Sequence, residues 1–396
     1  MLTGYPRSDG RKGIRNILVV AYLVECAHHV AREIVVEFRD RDVHLIGFPG
    51  CYPNPYAERM MEALCTHPNV GAALLISLGC ESFNKHHLAN RIAESGRPVE
   101  TLIIQSVGGT TKSIEAGRRF VRATLPILEA VDRSTMGLED LVVGTVCGGS
   151  DGTSGITGNP AAGLSFDRLV QAGATCIFEE TGELIGCEHV MAKRAARPEL
   201  GPLLRDAVAK AASYYAEMGY GSFAPGNADG GLSTIEEKSL GAYAKSGSSQ
   251  ISGLLKPGDR SPTCGLYLLD VVPDGPPRFG FPNINDNAEI AELMACGCHL
   301  TYFVTGRGSV VGSAISPVLK ICANPDTYDR MVDDMDVNAG RILHGATPNE
   351  VGDEIFDLTI SVAQGRRTKS EALGHREFIL TYKSFEPIGP ACLPAA

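Results

Sequence analysis

The chain has 396 residues, of which 44% are hydrophobic and 21% charged, and its formal net charge at pH 7 is −10. A single hydrophobic core stops growing near about 250 to 300 residues, so the length predicts two domains. A negative chain without a long basic run is not expected to bind nucleic acid, and no apolar run approaches the roughly 20 residues of a membrane span. Because residues 1–16 lack the apolar core of a secretory signal, we expect a cytoplasmic protein.

Short apolar runs alternate with helical patterns through the first third of the chain. They follow the basic segment PRSDGRKGIR at 6–15, which is either a solvated arm or an anion-binding segment. Strands are predicted at 16–24, 43–48, 72–78 and 100–106. Apolar runs of this length separated by helices are typical of parallel strands covered on both faces. Residues 1–135 are therefore predicted to form a doubly wound α/β domain.

A polar, turn-rich stretch at 131–140 marks the predicted domain boundary. The rest of the chain, 136–396, again mixes strands with helices, but its glycine-rich connections are longer. We predict a C-terminal α/β catalytic domain, and hence two Rossmann-like domains with mostly parallel sheets. Its predicted strands lie at 141–146, 175–180, 264–270, 299–305 and 317–323.

The loop CGGSDGTSGITGNP at 147–160 follows the first of these strands and contains five glycines. Ligands of open parallel sheets bind beyond the carboxyl ends of the strands, where loops lead into helices. Ser150, Asp151 and Ser154 offer hydroxyl and carboxylate groups that suit a carboxylate or a polyol. Asn159 is predicted to cap the following helix. The alternative is a flexible surface loop without a function.

Two further loops carry groups that bind anions. The loop at 224–232 contains Asn227 and leads through a capping box at 233–237 into a helix, whose free N–H groups favour an anion. Lys238, one turn into that helix, could supply charge or act as a base. In VTGRGS at 304–309, Thr305 and Arg307 follow a strand, and Arg307 can bind a carboxylate through two hydrogen bonds.

Four of the twelve cysteines follow predicted strands directly, namely Cys26, Cys51, Cys80 and Cys147. Twelve cysteines without the regular spacing of a disulfide scaffold are expected to be reduced thiols. Those at strand ends are candidates for a shared metal or ligand site, although buried cysteines also serve as small hydrophobic residues. The motif CGCH at 296–299 precedes an apolar strand and is interpreted as core packing.

Several long motifs give the chain a family resemblance. In order and spacing, the sequence resembles the altronate and galactarate dehydratase family, and it is also similar to the large subunit of sulfolactate sulfo-lyase. The resemblance covers essentially the whole chain. The motifs that carry it are GYPRSDGRKGIRN, SLGCE, CGGSDGTSGITGNPAAG, FEETGELIGCE, APGNADGGLSTIEEKSLG, VTGRGS and DDMDVNAGRI.

The resemblance implies a carbon–oxygen hydro-lyase that removes water from a sugar acid and yields a 2-keto-3-deoxy acid. It also implies Fe2+, or Mn2+ in its place. Glu180 and Glu183 match the family's glutamates, although first-turn helix carboxylates in solvent are an alternative interpretation. Combined with the loops, it makes Lys238, Asp151 and Glu180 the catalytic candidates and Cys51, Cys80 and Cys147 the metal ligands. The predicted substrate-binding residues are Ser150, Ser154, Asn159, Asn227, Thr305 and Arg307.

Two other functions stay open. One is the sulfo-lyase reaction, in which sulfolactate gives sulfite and pyruvate; the other is a non-catalytic protein that binds sugar acids. Family members of full length carry a small SAF domain before the region that begins this chain, so we expect a separate small SAF-domain subunit as a partner. We also expect a homo-oligomer and a small-molecule hydroxy acid as substrate.

Overall fold

The structure is a computed structural model, and it describes residues 2–179, 181–217, 225–275 and 285–380. These residues divide into two compact units. The first unit contains residues 4–134 and 376–380, and the second contains 2–3, the described part of 135–275, and 285–375. Among the described residues, no helix is long and apolar enough to cross a bilayer.

Strands and helices alternate through both units. The described strands are β1 (Leu2–Pro6), β2 (Lys12–Gly13), β3 (Ile17–Tyr22), β4 (Val43–Gly47), β5 (Val70–Ser77), β6 (Val99–Ile103), β7 (Ser134–Met136), β8 (Val142–Cys147), β9 (Thr175–Phe178), β10 (Ile251–Leu255), β11 (Gly265–Leu269), β12 (Leu300–Thr305), β13 (Val318–Cys322) and β14 (Val337–Asn338). The described helices are α1 (His28–Val36), α2 (Pro55–Cys65), α3 (Lys85–Glu94), α4 (Ile104–Val107), α5 (Thr110–Glu129), α6 (Gly158–Gln171), α7 (Glu188–Ala192), α8 (Leu200–Glu217), α9 (Pro225–Asp229), α10 (Ile235–Ala244), α11 (Asp286–Ala295), α12 (Pro325–Arg330), α13 (Pro348–Ala363) and α14 (Lys369–Leu373).

The first unit is built on a parallel sheet in the order β4-β3-β5-β6. All eight residues of β5 are buried, as expected for a central parallel strand that is covered on both faces. Ile34 of α1 and Val121 of α5 pack with Leu74 of β5 in one apolar cluster. The predicted strand at 100–106 is shorter in the structure, because the chain turns into α4 at Ile104.

The basic N-terminal segment is tied to backbone carbonyls of the first unit. Arg7 Nε donates to the Pro68 carbonyl at 2.7 Å, and Arg11 Nη2 donates to the Thr66 carbonyl, also at 2.7 Å. Arg97 Nη2 donates to Thr66 as well, at 2.9 Å. Burial, with Arg97 and Arg11 nearby, lowers the pKa of Arg7 to about 9. These arginines thus hold the connection between α2 and β5 in place, a role that neither sequence interpretation anticipated.

The end of the described chain also belongs to the first unit. Arg376 donates from Nη1 to the Val43 carbonyl at 3.4 Å and from Nη2 to the carbonyls of Arg39 and Arg41 at 3.5 Å. These long hydrogen bonds connect the edge strand β4 with residues more than 330 positions later in sequence.

The second unit contains a seven-stranded parallel sheet in the order β10-β11-β9-β8-β12-β13-β14. Tyr302 of β12 joins the sheet to two helices, through hydroxyl contacts of 2.9 Å to Ser165 of α6 and 2.6 Å to Thr359 of α13. Because β8 lies at the centre of the sheet, the loop after Cys147 opens between the loops of β9 and β12. The α/β class with mostly parallel sheets is confirmed.

The motif at 296–299 belongs to the core, as predicted. Cys296, Cys298 and His299 are all buried. His299 Nδ1 accepts a hydrogen bond from the Val142 N–H at 3.0 Å, which fixes the start of β8.

Candidate active site

A cavity of about 300 Å³ lies at the carboxyl end of β8, in the second unit. Its wall combines the 147–160 loop with the first turns of α10. The structure thereby brings together five residues that the sequence singled out. These are Ser150, Asp151, Ser154, Asn159 and Lys238.

The loop can lie against α10 because two glycines meet there. A Cβ atom on Gly155 would lie 3.0 Å from the Cα atom of Gly241. Ile156 and Leu240, the neighbours of these glycines, are exposed and line the cavity. Larger residues at the crossing would separate the loop from the helix and open the cavity wall.

Lys238 is the central charged group of the cavity. Thr234 caps α10 by accepting a hydrogen bond from the Glu237 N–H at 3.1 Å, so Lys238 lies in the first turn. Its Nζ atom donates to Ser150 Oγ at 2.7 Å and is 2.6 Å from Glu183 Oε2. Only 2% of the Lys238 side chain is exposed. Such a buried ammonium is tolerable because a carboxylate pairs with its charge and a hydroxyl accepts its hydrogen bond.

Asp151 has its carboxylate occupied by the protein. Oδ1 accepts hydrogen bonds from the Thr153 N–H, the Thr153 hydroxyl and the Ser154 hydroxyl, at 3.0, 2.6 and 3.2 Å. Oδ2 accepts one from Asn324 Nδ2 at 2.8 Å. Gly306 packs so closely that a Cβ atom there would lie 2.2 Å from Oδ1. These contacts show that Asp151 shapes the loop, and its catalytic role stays a prediction.

Asn227, Thr305 and Arg307 support the loop from outside the cavity lining. Asn227 Oδ1 accepts a hydrogen bond from the Ser150 N–H at 3.0 Å. Thr305 Oγ1 donates to the Gly149 carbonyl at 3.0 Å. Arg307 is exposed, and its Nη1 atom donates to the Gly226 carbonyl at 2.7 Å.

One helix prediction needs correction. Asn159 does not cap the helix, because α6 begins earlier, at Gly158, and Thr157 takes the cap position. The Thr157 hydroxyl donates to the Thr153 and Ala323 carbonyls, which closes the preceding turn. Asn159 is therefore inside the first turn, where it lines the cavity.

The metal-ligand role of Cys51, Cys80 and Cys147 stays a prediction. Cys147 is buried, and the ammonium nitrogen of Lys245 lies 2.9 Å from its sulfur, an unfavourable neighbour for a cation. Cys51 and Cys80 are exposed thiols of the other unit. Within the described ranges, no three His, Cys, Asp or Glu side chains are arranged to hold an ion. Glu180 lies outside those ranges.

Three residues near the site were not among the functional candidates that the sequence analysis proposed. Lys245 lies seven positions after Lys238, a spacing that puts both on one helix face. Asp286 begins α11, and burial together with the nearby Glu183 carboxylate raises its pKa to about 6. Asn324 follows β13 and holds Asp151. Only the Lys238–Lys245 spacing could have been noticed in the sequence.

Comparison with known proteins agrees with this architecture. The family model described as "D-galactarate/Altronate dehydratase, C-terminal" matches residues 138–385. The model described as "D-galactarate dehydratase/Altronate hydrolase, second domain" matches residues 4–129. The chain belongs to the D-galactarate/altronate dehydratase family. The resemblance and the enzyme class, a hydro-lyase, are both confirmed.

Three relatives illustrate the range of this family. The chain is 31% identical to (2R)-sulfolactate sulfo-lyase subunit beta of Chromohalobacter salexigens, over 96% of each chain. It is 30% identical to altronate dehydratase of Escherichia coli, over 95% of this chain and 76% of the relative. It is 32% identical to galactarate dehydratase (L-threo-forming) of Escherichia coli, over 92% of this chain and 73% of the relative.

Proposed function

We propose that the protein removes water from a polyhydroxy 2-hydroxy acid, such as an aldonate or aldarate, and forms a 2-keto-3-deoxy acid. The observation that carries this proposal is the buried Lys238 ammonium, held between Ser150 and Glu183 in the wall of the cavity. An ammonium in this position favours the negative charge that develops when a carboxylate-bearing carbon loses its proton. Ser154 and Asn159 supply hydrogen bonds to substrate hydroxyls.

The Lys238–Glu183 pair can also handle the proton. When the Nζ proton passes over 2.6 Å to Glu183, the neutral amine becomes a base for the proton beside the substrate carboxylate. The proton held by Glu183 then leaves with the β-hydroxyl as water, a carbon–carbon double bond forms, and the enol product becomes the 2-keto acid. Lys238 takes one proton, Glu183 gives one proton to the leaving hydroxyl, and the electron pair of the broken carbon–hydrogen bond forms the double bond. The reaction therefore needs no other reactant.

Polar groups in the cavity favour a sugar acid over a sulfonate. Among the described lining residues Lys238 is the one cation, whereas Asp151 and Glu237 are acidic. A sulfonate would require more fixed positive charge, while the Ser and Asn side chains of the lining can exchange hydrogen bonds with substrate hydroxyls. The sulfo-lyase reaction is the second candidate, because the relative named sulfolactate sulfo-lyase subunit beta is matched over 96% of both chains.

Partner and metal proposals accompany the reaction. We propose a separate small subunit, supported by the word "subunit" in the name of that relative. We also propose Fe2+ or Mn2+ dependence on the family resemblance, together with a cytoplasmic location and a homo-oligomer. The purified chain should turn over slowly without the small subunit, and a rate near about ten per second without it would contradict the partner proposal.

A substrate panel tests the reaction. Aldonates, aldarates and sulfolactate are assayed anaerobically with Fe2+ and any candidate small subunit, while 2-keto acid and sulfite are followed separately. We expect 2-keto acid from at least one sugar acid. Sulfite from sulfolactate, without product from any sugar acid, would instead establish the second candidate. Calorimetric binding of a sugar acid with no product would establish a non-catalytic binder.

A further inference from the structure

One face of α10 contacts the end of β8 and its loop at three successive points. Lys238 contacts Ser150, and Gly241 packs on Gly155. Lys245, the residue after the last helical position, contacts Cys147. Seven helical residues rise about 10 Å, nearly the length of three extended residues. The spacing of the two lysines therefore matches the spacing of Ser150 and Cys147.

The contact between Lys245 and Cys147 is unusually close. The Lys245 Nζ atom lies 2.9 Å from the Cys147 Sγ atom. A distance of 2.9 Å is typical of a hydrogen bond from nitrogen to oxygen. Sulfur is larger than oxygen, so the same distance to sulfur is a closer contact. Lys245 is 0% exposed and Cys147 3% exposed, so both groups are shielded from water. Two single bonds through one bridging oxygen span nearly this distance.

We propose that Cys147 and Lys245 form a reversible covalent bridge, Sγ–O–Nζ, when the protein meets dioxygen. After the Lys245 ammonium releases one proton, the thiol and the neutral amine lose two hydrogens in total, and Sγ–O and O–Nζ bonds form. One oxygen atom of O2 enters the bridge, the other leaves as water with those two hydrogens, and one hydrogen remains on the nitrogen. Sulfur and nitrogen are oxidised and dioxygen is reduced. Four thiol equivalents reverse the reaction and give Cys147, Lys245, water and two disulfides.

The route that the proposal gives dioxygen to the sulfur passes through the cavity. Asn159 lines the cavity, and its Oδ1 atom lies 4.0 Å from Cys147 Sγ. The thiol is thus separated from the cavity by a single side chain. Stepwise oxidation of cysteine starts with the addition of one oxygen to sulfur, and a nitrogen close by can then capture the product.

The bridge would remove a buried positive charge from the site. Lys245 and Lys238 both act electrostatically on the Asp286 carboxyl, which also lies near Glu183. Once Lys245 is neutral in the bridge, Lys238 faces these carboxylates alone and releases its proton less readily. Resting on the proposed function, we therefore expect the bridged enzyme to turn over slowly, because its base is held as an ammonium. In air the bridge would therefore lower the activity of the enzyme, and thiols would restore it.

Peptide mass spectrometry of the whole chain tests the bridge. Protein exposed to air-saturated buffer is alkylated and digested without reductant. We expect a linked pair of peptides, containing residues 147 and 245, that has one oxygen more and two hydrogens fewer than the separate peptides. Thiol treatment should abolish the link. Cys147→Ser and Lys245→Arg should both prevent it, whereas Cys176→Ser, a change at another buried cysteine, should leave it.

Other oxidation products overturn the proposal. These are sulfenic or sulfinic acid on Cys147 without a link, a direct nitrogen–sulfur link without oxygen, a disulfide, or an unchanged thiol after prolonged exposure. The masses do not depend on knowing the substrate, so they are informative even if every acid in the panel fails. With an active acid, lost turnover should follow the linked fraction and return with thiol. Full turnover of fully linked protein would overturn the regulatory part alone.

Discussion

Replacement of Lys238 by methionine separates the structural from the chemical role of the Lys238–Glu183 pair. Lys238→Met removes the ammonium and leaves the Glu183 carboxylate, 24% exposed, without this cation. Breaking a buried ion pair costs about 3 to 5 kcal/mol, and the partial exposure of Glu183 favours the lower end, about 3 kcal/mol. Glu183→Gln should cost a similar amount, because it leaves the ammonium buried beside a neutral group.

The double variant distinguishes the two roles. Lys238→Met with Glu183→Gln leaves no buried charge, so about 2 kcal/mol of unfolding free energy should return relative to the sum of the single changes. Catalytic efficiency should not return, because proton transfer needs both groups. Each single variant and the double variant should lose about two to four powers of ten in kcat/KM relative to wild type.

Urea unfolding at pH 7 and kcat/KM on the most active acid measure the two effects. Lys210→Met is the matched control, since Lys210 Nζ is 2.5 Å from the buried Asp270 carboxylate in a different ion pair. It should lower stability and leave kcat/KM unchanged. The reasoning is refuted if Lys238→Met stays within about tenfold of wild-type efficiency, or if the losses of the two single variants multiply in the double.

Four further results are expected. Arg307→Lys should lower kcat/KM about tenfold without unfolding, because Arg307 supports the loop through its hydrogen bond to the Gly226 carbonyl, and near wild-type efficiency would contradict this. The pKa of Asp286 in the folded protein, about 6, exceeds its unfolded value, so its charge lowers stability as pH rises from about 4 to 6. Asp286→Asn should therefore be more stable than wild type by about 2 kcal/mol at pH 7 and equal to it near pH 4, whereas a constant difference in urea midpoint would argue against it. Gly241→Ala, with a Cβ atom 3.1 Å from the Gly155 Cα, should lower kcat/KM about tenfold by displacing the loop, which an unchanged value would disprove. Anaerobic purification should give one iron or manganese per chain by elemental analysis, and metal-free protein that is active with chelator present would rule out that role.

The strand ends and their loops could be predicted because the local pattern determines them. Apolar runs at 43–48 and 299–305 are long enough to indicate strands, and β4 and β12 occupy these positions. The short β10 has only five residues and one of them is glycine, so its pattern is weak, and the sequence did not reveal it.

Side-chain partners that are distant in sequence were not predictable. Asn324 binds Asp151 across 173 positions, and Lys245 contacts Cys147 across 98. Such contacts depend on which strands become neighbours in the sheet, and a single sequence does not specify that order. Similarly, Asn159 was a reasonable helix cap by residue type, but the helix begins earlier, with Thr157 at the cap position.

The hydrogen bonds of Arg376 have a consequence for synthesis on the ribosome. Residues 4–134 emerge first and can form their parallel sheet early, since domains generally fold as units from the N-terminus. Yet the carbonyls of Arg39, Arg41 and Val43 receive the Arg376 guanidinium only after more than 330 further residues have been translated. Until then the edge at β4 lacks this covering residue, and a nascent chain stalled before residue 376 would expose that strand to other chains.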